Sequence, residues 1–457
     1  MKNKIVLFIA SLYTLVLFSC LGTETTVIEV TNDLQIASFA LEHDSIDDLE
    51  DVKFTIDQLA GEIYNIDSMA WGTEVGEVLC TITTSSSYMV ESIEVFLTAY
   101  TDSSYYLSSL SDTIDFSAPV KFVVHSLDDI STKVYTAWVN IHQLEPDSMV
   151  WEYHTNPLIR LSFTEQKVVA FPYEGVQNFL MYVKPVNTNL GYRLYHTPVT
   201  EPDSWALLTL AGLPTDGLML DQMTEYNDAL YLPTSDGTLY QSTDGLNWSV
   251  VENAPTVRYV LGYVEEGDRQ TSALATIVEE DGELMFYSMN ESFEWTEGDA
   301  VTEDFPLTGF GSLHYEAMYY KYLLIAGGRT GADEIVNSTW STMNGTTWGL
   351  MASGNESFSE REGVMAANYN DLLYIFGGID ASDQGLKDVY SSDDRGVTWF
   401  PVDSMVVMPD DYTGRGFSSV VVDEKNFVNF FGGKSSKNAN QLNQHWRGRI
   451  NSLIPDE

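Results

Sequence analysis

Cysteine and basic residues are scarce in this chain. Two cysteines, Cys20 and Cys80, occur among 457 residues, and 22 Lys and Arg stand against 67 Asp and Glu. Because the formal net charge is −45, the chain repels phosphate backbones, whose binding depends on Lys and Arg. We therefore expect no nucleic-acid partner. The acidic residues are spread along the sequence, which is typical of a solvated surface.

Long hydrophobic runs are equally few. The one long uncharged apolar run, residues 5–19, follows a start that carries Lys2 and Lys4. It is shorter than the roughly 20 residues that a transmembrane helix needs, and a basic start before an apolar run is the pattern of a secretory signal peptide. We therefore predict that residues 1–19 are a signal peptide.

This run ends in the phrase Leu17-Phe18-Ser19-Cys20. The phrase resembles the lipobox cut by the lipoprotein signal peptidase, with Phe18 bulkier than the residue usual there. The resemblance implies lipid on Cys20, a lipidated linker over residues 20–31, and an outer membrane lipoprotein that faces the periplasm or the cell surface. A conventional signal peptide with an incidental cysteine is the alternative. If Cys20 carries lipid, Cys80 has no disulfide partner, and we interpret it as a small buried hydrophobic residue.

Common catalytic and metal-binding motifs are also missing. The sequence has no G-x-S-x-G elbow, P-loop or H-E-x-x-H. The histidines of the C-terminal two thirds lie far apart, with no spacing that would gather metal ligands. They are His154, His196, His314 and His445. We expect no cofactor and no metal, and whether the chain is an enzyme stays open, with absence of catalysis favoured.

Short segments that alternate apolar and polar residues dominate residues 32–148. Alternation with a period of two predicts half-buried strands, here at residues 35–41, 78–82, 93–97, 120–124 and 134–141. The last of these segments resemble the final strands of Ig-like modules, which implies an Ig-like β-sandwich. Pro146 and its turn-forming neighbours mark the end of this domain.

The sequence after residue 149 repeats. Similar phrases end in Trp205, Trp248, Trp295, Trp348 and Trp399, and apolar strands run into paired glycines at 327–328, 377–378 and 432–433. Units of about 40–55 residues without helical periodicity are typical of four-stranded β-propeller blades. We count six blades over residues 149–457, with seven as the alternative. The first begins near Gln166 and the last strand is placed at residues 446–453.

The segment Ser392–Trp399 matches the S-x-D-x-G-x-T-W Asp box of sialidase-like propellers, and the paired glycines resemble those of kelch blades. In such turns the aspartate bonds turn amides, the glycine supplies a left-handed backbone, and the tryptophan packs between blades. The resemblance implies a structural role for these residues. They are Asp244, Gly245, Trp248, Trp295, Gly327, Gly328, Trp348, Gly377, Gly378, Asp394, Gly396, Trp399, Gly432 and Gly433.

Two enzyme classes built on such propellers do not fit. Sialidases bind a substrate carboxylate with three convergent arginines, but no arginine here lies in the R-I-P phrase that marks the first of them, and Arg395 lies inside the Asp box. Copper oxidases of the kelch type need a thioether between cysteine and tyrosine, and residues 149–457 contain no cysteine.

An Ig-like domain and a propeller behind a lipobox resemble uncharacterised surface lipoproteins of gut anaerobes, which implies an all-β fold. Two functional hypotheses remain. The first is a monomeric, membrane-tethered binding or adhesion lipoprotein, in which the Ig-like domain is a spacer and the propeller recognises a glycan or protein ligand. The second is a glycan-active hydrolase or lyase with carboxylates from different blades. The tether, the repeats and the missing motifs favour the first.

Overall fold

The computed structural model describes residues 33–86, 89–97, 104–107, 109–128, 130–143, 145, 148–154, 157–402 and 405–451. The predicted signal peptide, Cys20 and the linker to residue 31 lie outside the described residues. The chain divides into two compact units, Met1–Glu145 and Pro146–Glu457. Where the chain is described, no helix has the length and apolarity to cross a membrane. The helices are short 3-10 segments, at Leu49–Asp51, Thr188–Leu190, Leu220–Gln222 and Gly354–Glu356.

The first unit contains two sheets that share one hydrophobic core. One sheet has three strands, in the order Ile36–Glu42, Val78–Thr84 and Ser111–Ile114. The other has six, in the order Phe54–Asp57, Glu62–Asn65, Thr132–Trp138, Val120–Ser126, Val90–Leu97 and Ser104–Tyr106. Each alternating segment predicted from the sequence overlaps one of these strands, because alternation buries one face of a strand and exposes the other. The segment at residues 134–141 runs past the end of its strand at Trp138.

Cys80 shows how this alternation works. In the strand Val78–Thr84, Val78, Cys80 and Ile82 are buried, whereas Leu79 between them is 39% exposed. Burial raises the pKa of the Cys80 thiol far above its usual range. The thiol therefore stays protonated and packs as a small apolar side chain, as the sequence predicts.

The second unit consists of six antiparallel sheets, which are the blades of a propeller. Blade 1 contains Phe163–Tyr173, Val176–Pro185, Arg193–Pro198 and Ala206–Leu208. Blade 2 contains Thr224–Tyr226, Ala229–Pro233, Leu239–Ser242 and Ser249–Val250. Blade 3 contains Val257–Val264, Ala273–Glu280, Glu283–Met289 and Trp295–Ala300.

The remaining blades follow the same plan, from the inner strand outward. Blade 4 contains Gly311–Ala317, Tyr320–Thr330, Ile335–Thr342 and Gly349–Ala352, and Pro306–Thr308 extends its inner edge. Blade 5 contains Met365–Tyr369, Leu372–Ile379, Gly385–Ser392 and Phe400–Pro401. Blade 6 contains Gly416–Val422, Val428–Lys434, His445–Ile450 and Met149–His154. Blade 6 thus takes its outer strand from the start of the unit.

This pairing of the two ends of the second unit closes the ring. Met149 lies opposite Ile450 and His154 opposite His445, in a continuous antiparallel register. The strand predicted at the end of the sequence is therefore the third strand of blade 6, not the outermost one. An exposed sheet edge carries unpaired N–H and C=O groups, so closure satisfies the edge of the last blade within the same chain.

Six hydrophobic clusters hold the blades together, and each joins side chains from two neighbouring blades. A tryptophan from the third or fourth strand of a blade, or from the turn between them, enters each cluster, fully or partly buried; five come from the repeat phrases, and Trp446 is the sixth. They are Trp205, Trp248, Trp295, Trp348, Trp399 and Trp446. Trp399, for example, meets Phe358 edge to face at a ring distance of 5.8 Å. The repeated tryptophan therefore fixes the spacing between blades.

Replacing Trp399 by Ala tests this role. The side chain is 4% exposed, so its removal leaves a cavity between blades 4 and 5 and should lower the free energy of unfolding by about 3–5 kcal/mol. Trp71 is 51% exposed, so Trp71→Ala is the matched control and should change stability by less than about 0.5 kcal/mol. Urea unfolding of both variants gives the comparison. Equal losses would contradict the proposed packing role.

Candidate functional site

The turns between the third and fourth strands of blades 2 to 5 share one construction, and we call them acceptor turns. In Ser392–Trp399, the carboxylate of Asp394 accepts hydrogen bonds from the Thr398 amide at 2.9 Å and the Val397 amide at 3.1 Å. The hydroxyls of Ser392 and Thr398 donate to it at 2.8 and 2.6 Å. One side chain therefore satisfies most of the polar groups of the turn.

Asp244 does the same in blade 2. It accepts from the amides of Leu246 and Asn247, both at 2.8 Å, and from the Ser242 hydroxyl at 3.0 Å. Partial burial alone would raise the pKa of Asp244, but the donors from Asn247, Leu246 and Ser242 outweigh it and lower the pKa to about 2. The carboxylate is thus bound in its ionised form.

Asparagine takes this position in the other acceptor turns. Asn344 accepts from the Thr346 and Thr347 amides at 3.0 Å, and Asn290 accepts from the Ser292 and Glu294 amides at 2.9 and 3.0 Å. A neutral amide oxygen is therefore enough to accept the backbone hydrogen bonds of the turn. The negative charge at Asp244 and Asp394 strengthens the same contacts.

In blade 2, the preceding blade requires a glycine in the acceptor turn. Gly245 has φ +72°, and a Cβ there would lie 2.5 Å from Cδ1 of Leu180 in blade 1. The Tyr182 hydroxyl donates to the Gly245 carbonyl at 2.6 Å. The turn thus docks on the neighbouring blade, and its residues are structural.

The paired glycines likewise lie at contacts inside the scaffold. Gly378 has φ +119°, and a Cβ there would lie 3.0 Å from Cδ of Arg361. Arg361 is fully buried and binds both carboxylate oxygens of Asp388, at 2.7 and 2.9 Å. Arg415 takes the equivalent place beside Gly433 and donates to the Gly432 carbonyl at 2.9 Å. The repeated spacing of the paired glycines within the chain reflects the packing of the blades.

The central channel is a different kind of site. A cavity of about 370 Å³ lies among the first halves of the inner strands, and all six blades contribute to its wall. None of the glycines, aspartates or tryptophans predicted as structural residues lines it. Its ionisable groups are Glu165 and Lys167 of blade 1, Asp221 before blade 2, and Lys434 of blade 6.

Opposite charges face each other across the junction of blades 1 and 2. The Lys167 ammonium donates to the backbone carbonyl of Asp221 at 3.2 Å. Burial within the channel lowers the pKa of Lys167, partly offset by the Asp221 carboxylate, and burial raises the pKa of Asp221 against the effect of Lys167. Asp221 is exposed and lines the channel, so a ligand can reach it.

Lys434 belongs to blade 6, which adjoins blade 1 in the ring. Its ammonium lies 5.7 Å from the ring centroid of Phe417, and no ion pair of the described residues includes it. Burial lowers the pKa of Lys434, although the carboxylates of Glu165, Asp221 and Glu362 oppose this shift. Glu165 itself pairs with Lys184 at 3.4 Å, so Lys434 is available to a bound molecule.

Sequence reasoning did not select these channel residues. Glu165 and Asp221 are distant in sequence, and only the ring arrangement brings them to one cavity. The sequence held one sign of Lys434: a basic residue directly follows a glycine pair in two blades. Lys434 follows Gly432 and Gly433 in blade 6, and Arg329 follows the equivalent pair in blade 4. Arg329 is neutralised by Glu362 at 2.6 Å, whereas Lys434 has no such partner among the described residues.

The expectation that the histidines stay apart is wrong for one pair. His154 and His445 are opposite each other in blade 6, and their rings stack with centroids 4.6 Å apart. Ring closure brings them together, so sequence spacing gave no sign of it. His196 and His314 lie elsewhere, where they contact Asn178 at 3.1 Å and the Tyr263 carbonyl at 2.8 Å.

A pH titration tests the acceptor turns. Because the folded-state pKa of Asp244 is about 2, below the ordinary value of 3.8, its contribution to stability is present above pH 4 and is lost as the pH falls from about 4 to 2. Asp244→Ala should lower the free energy of unfolding by about 1–2 kcal/mol at pH 7. Asp244→Asn, which copies Asn344, should lose less and should show a weaker fall in acid. Equal acid sensitivity of wild type and Asp244→Asn in denaturant unfolding would refute this assignment.

Comparison with known proteins identifies both parts of the chain. The family model described as the DUF6242 beta propeller domain matches residues 145–456. The model described as the N-terminal domain of the same domain of unknown function, DUF6242, matches residues 23–139. A search of curated proteins gave no match. Since the propeller model alone covers more than half of the chain, the protein belongs to the DUF6242 family, whose C-terminal domain is a β-propeller.

Proposed function

We propose that the protein is a membrane-tethered binding lipoprotein whose propeller recognises a glycan or protein ligand at the central channel. The observation that carries this proposal is Lys434, a cation without an ion-pair partner among the described residues, beside the channel of a chain with a net charge of −45. Lysine in such a chain is rare, and a partly desolvated ammonium binds a ligand oxygen more strongly than one in water.

The size of the channel favours a small group. Its volume of about 370 Å³ lies at the lower end of the range of small-molecule sites, which is roughly 300–1,000 Å³. A terminal sugar unit of a glycan or a single protruding side chain of a protein has a suitable size. Lys434, Lys167 and Asp221 supply donors and acceptors for hydroxyl, carboxylate or amide groups.

A second candidate function rests on the two carboxylates. Glu165 and Asp221 come from different blades and line the same cavity, and burial raises the pKa of Asp221. A carboxyl group with a raised pKa beside a second carboxylate is the arrangement of glycoside hydrolases. We therefore keep a glycan-active hydrolase or lyase as the alternative, with Asp221 as the acid.

Location at a membrane surface forms part of the proposal. The lipobox-like phrase before Cys20 supports lipid attachment in the outer membrane, facing the periplasm or the cell surface. The first domain, whose last strands resemble those of Ig-like modules, would serve as a spacer. The repeat phrases support a propeller of the kelch and Asp-box type.

Substitution of Lys434 tests the binding site. Lys434→Ala should weaken binding to glycans selected on an array by about tenfold or more, because a charge-assisted hydrogen bond of roughly 1.5–3 kcal/mol is lost. Lys425→Ala is the matched control: it removes an exposed lysine from the hairpin between Gly416–Val422 and Val428–Lys434, at the opposite end of the inner strand. Equal affinity of the two variants would rule out the channel as the site.

Turnover on the same glycans separates the two functions. A binding protein leaves bound polysaccharides intact. Release of reducing ends by the wild type that is abolished in Asp221→Asn would replace the binding proposal with the hydrolase.

Membrane release tests the tether. Cys20→Ala removes the acceptor of the lipid, so the variant should appear in the soluble fraction after cell lysis, whereas the wild type sediments with membranes. Cys80→Ala is the control, because that thiol is buried in the first unit and should leave the membrane fraction unchanged. A Cys20→Ala protein that still sediments with membranes would disprove lipid anchoring.

A further inference from the structure

We propose that the seam where the propeller ring closes binds a divalent metal ion of the zinc class through His154, Asp203 and His445. One potential ligand atom from each of the three lies within 4.8 Å of the others. His154 ends the outer strand of blade 6, His445 begins the third strand of that blade, and Asp203 lies in the loop between the third and fourth strands of blade 1. The three residues therefore come from both sides of the seam.

His445 presents one unused nitrogen. The Asn429 amide nitrogen donates to the Asp423 carboxylate at 3.0 Å and to the Phe427 carbonyl at 3.1 Å, which orients the Asn429 side-chain oxygen toward His445. His445 Nε2 lies 2.9 Å from that oxygen and must carry the proton, because the oxygen can only accept. The lone pair is therefore on Nδ1, which is buried and has no hydrogen-bond partner among the described residues.

His154 repeats this arrangement. Its Nδ1 lies 3.0 Å from the Asp203 carboxylate, so Nδ1 carries the proton while Asp203 is ionised, and Nε2 keeps its lone pair. Nε2 is also buried and without a hydrogen-bond partner where the chain is described. An imidazole held at one nitrogen by an oxygen and free at the other is the usual form of a histidine ligand.

Each of the two unused lone pairs can bind a metal ion or accept a hydrogen bond. A buried acceptor without a donor costs free energy, and here two of them lie in stacked rings. Zn²⁺ binds imidazole nitrogen and carboxylate oxygen, and a set of two histidines and one aspartate leaves a fourth position for water. The Asp203 carboxylate supplies the negative charge that two neutral imidazoles lack.

Binding requires one ring to turn. The His154 and His445 planes differ by 10°, so their lone pairs run nearly parallel and do not meet at one point. His445 is held between His154 and Phe431, whose ring centroid is 4.3 Å away, and it is fully buried. His154 and Asp203 have side chains that are 16% and 47% exposed, so both can move, whereas His445 stays in place. The Asp203 carboxylate would leave His154 Nδ1 in order to bind the ion.

An ion at this position would join blade 1 to both strands that close blade 6. A ligand that binds only the folded state stabilises it by mass action. The residues of this unit include no cysteine, so no disulfide can cross-link it, and a bound metal ion would supply a cross-link of another kind. None of the three proposed ligands lines the central channel, so metal binding at the seam does not depend on ligand binding in the channel.

Metal titration of the full chain tests the site. Protein treated with a chelator and dialysed is titrated with Zn²⁺ in a calorimeter, and thermal unfolding is followed with and without Zn²⁺. We expect one equivalent to bind with saturation and the unfolding temperature to rise. Co²⁺ in place of Zn²⁺ should give visible absorption bands of a site with nitrogen and oxygen ligands.

The variants separate this site from incidental binding. His154→Gln should abolish binding, and Asp203→Asn, an exposed and conservative change, should weaken it by about 10- to 100-fold. His196→Gln removes a histidine that contacts Asn178 outside the seam and should bind as the wild type does. Failure of the wild type to saturate, or unchanged affinity in both His154→Gln and Asp203→Asn, would overturn the proposal.

Discussion

The pairing of Met149–His154 with His445–Ile450 is the constraint on which the rest of the propeller depends. A ring of blades has no free end only if the first and last segments share a sheet, and backbone hydrogen bonds between them provide this link. The six interblade clusters can all form at the same time only in the closed ring. The ion pair between Arg447 and Glu152 adds a contact across the same two strands.

Closure also determines the channel. The inner strands reach their positions because each blade is held against two neighbours by a buried or partly buried tryptophan and its cluster. Gln222 shows the coupling directly: its amide donates to the Leu307 carbonyl at 2.9 Å, and its oxygen accepts from the Val260 amide at 3.1 Å. Lys167, Asp221 and Lys434 therefore project from a rigid wall, which reduces the ordering cost of binding a ligand.

The repeated residues were predictable because local physics repeats in every blade. Asp394 accepts hydrogen bonds from its own turn, Gly245 contacts the preceding blade, and Trp399 fills the space between two blades. Each role recurs in other blades, so similar residues recur at similar spacing in the sequence. The strands of the first domain were equally visible, since Val78, Cys80 and Ile82 alternate with exposed residues. Lys434 and Asp221 could not be recognised from the sequence, because a channel residue does not repeat in every blade. Its role depends on neighbours that come from distant parts of the chain. His154 and His445 were missed for the same reason, since only ring closure brings the two ends of the second unit together.

The central claim is that ligand recognition takes place at the channel end of the propeller. Amide hydrogen exchange of the full chain, measured with and without a glycan that it binds, addresses the claim most directly, since exchange reports protection segment by segment. The account predicts increased protection at residues 165–167, 221–224 and 417–420, around the channel. Protection confined to the hairpins at the other end, such as residues 317–320 and 422–428, or to the first domain would contradict it.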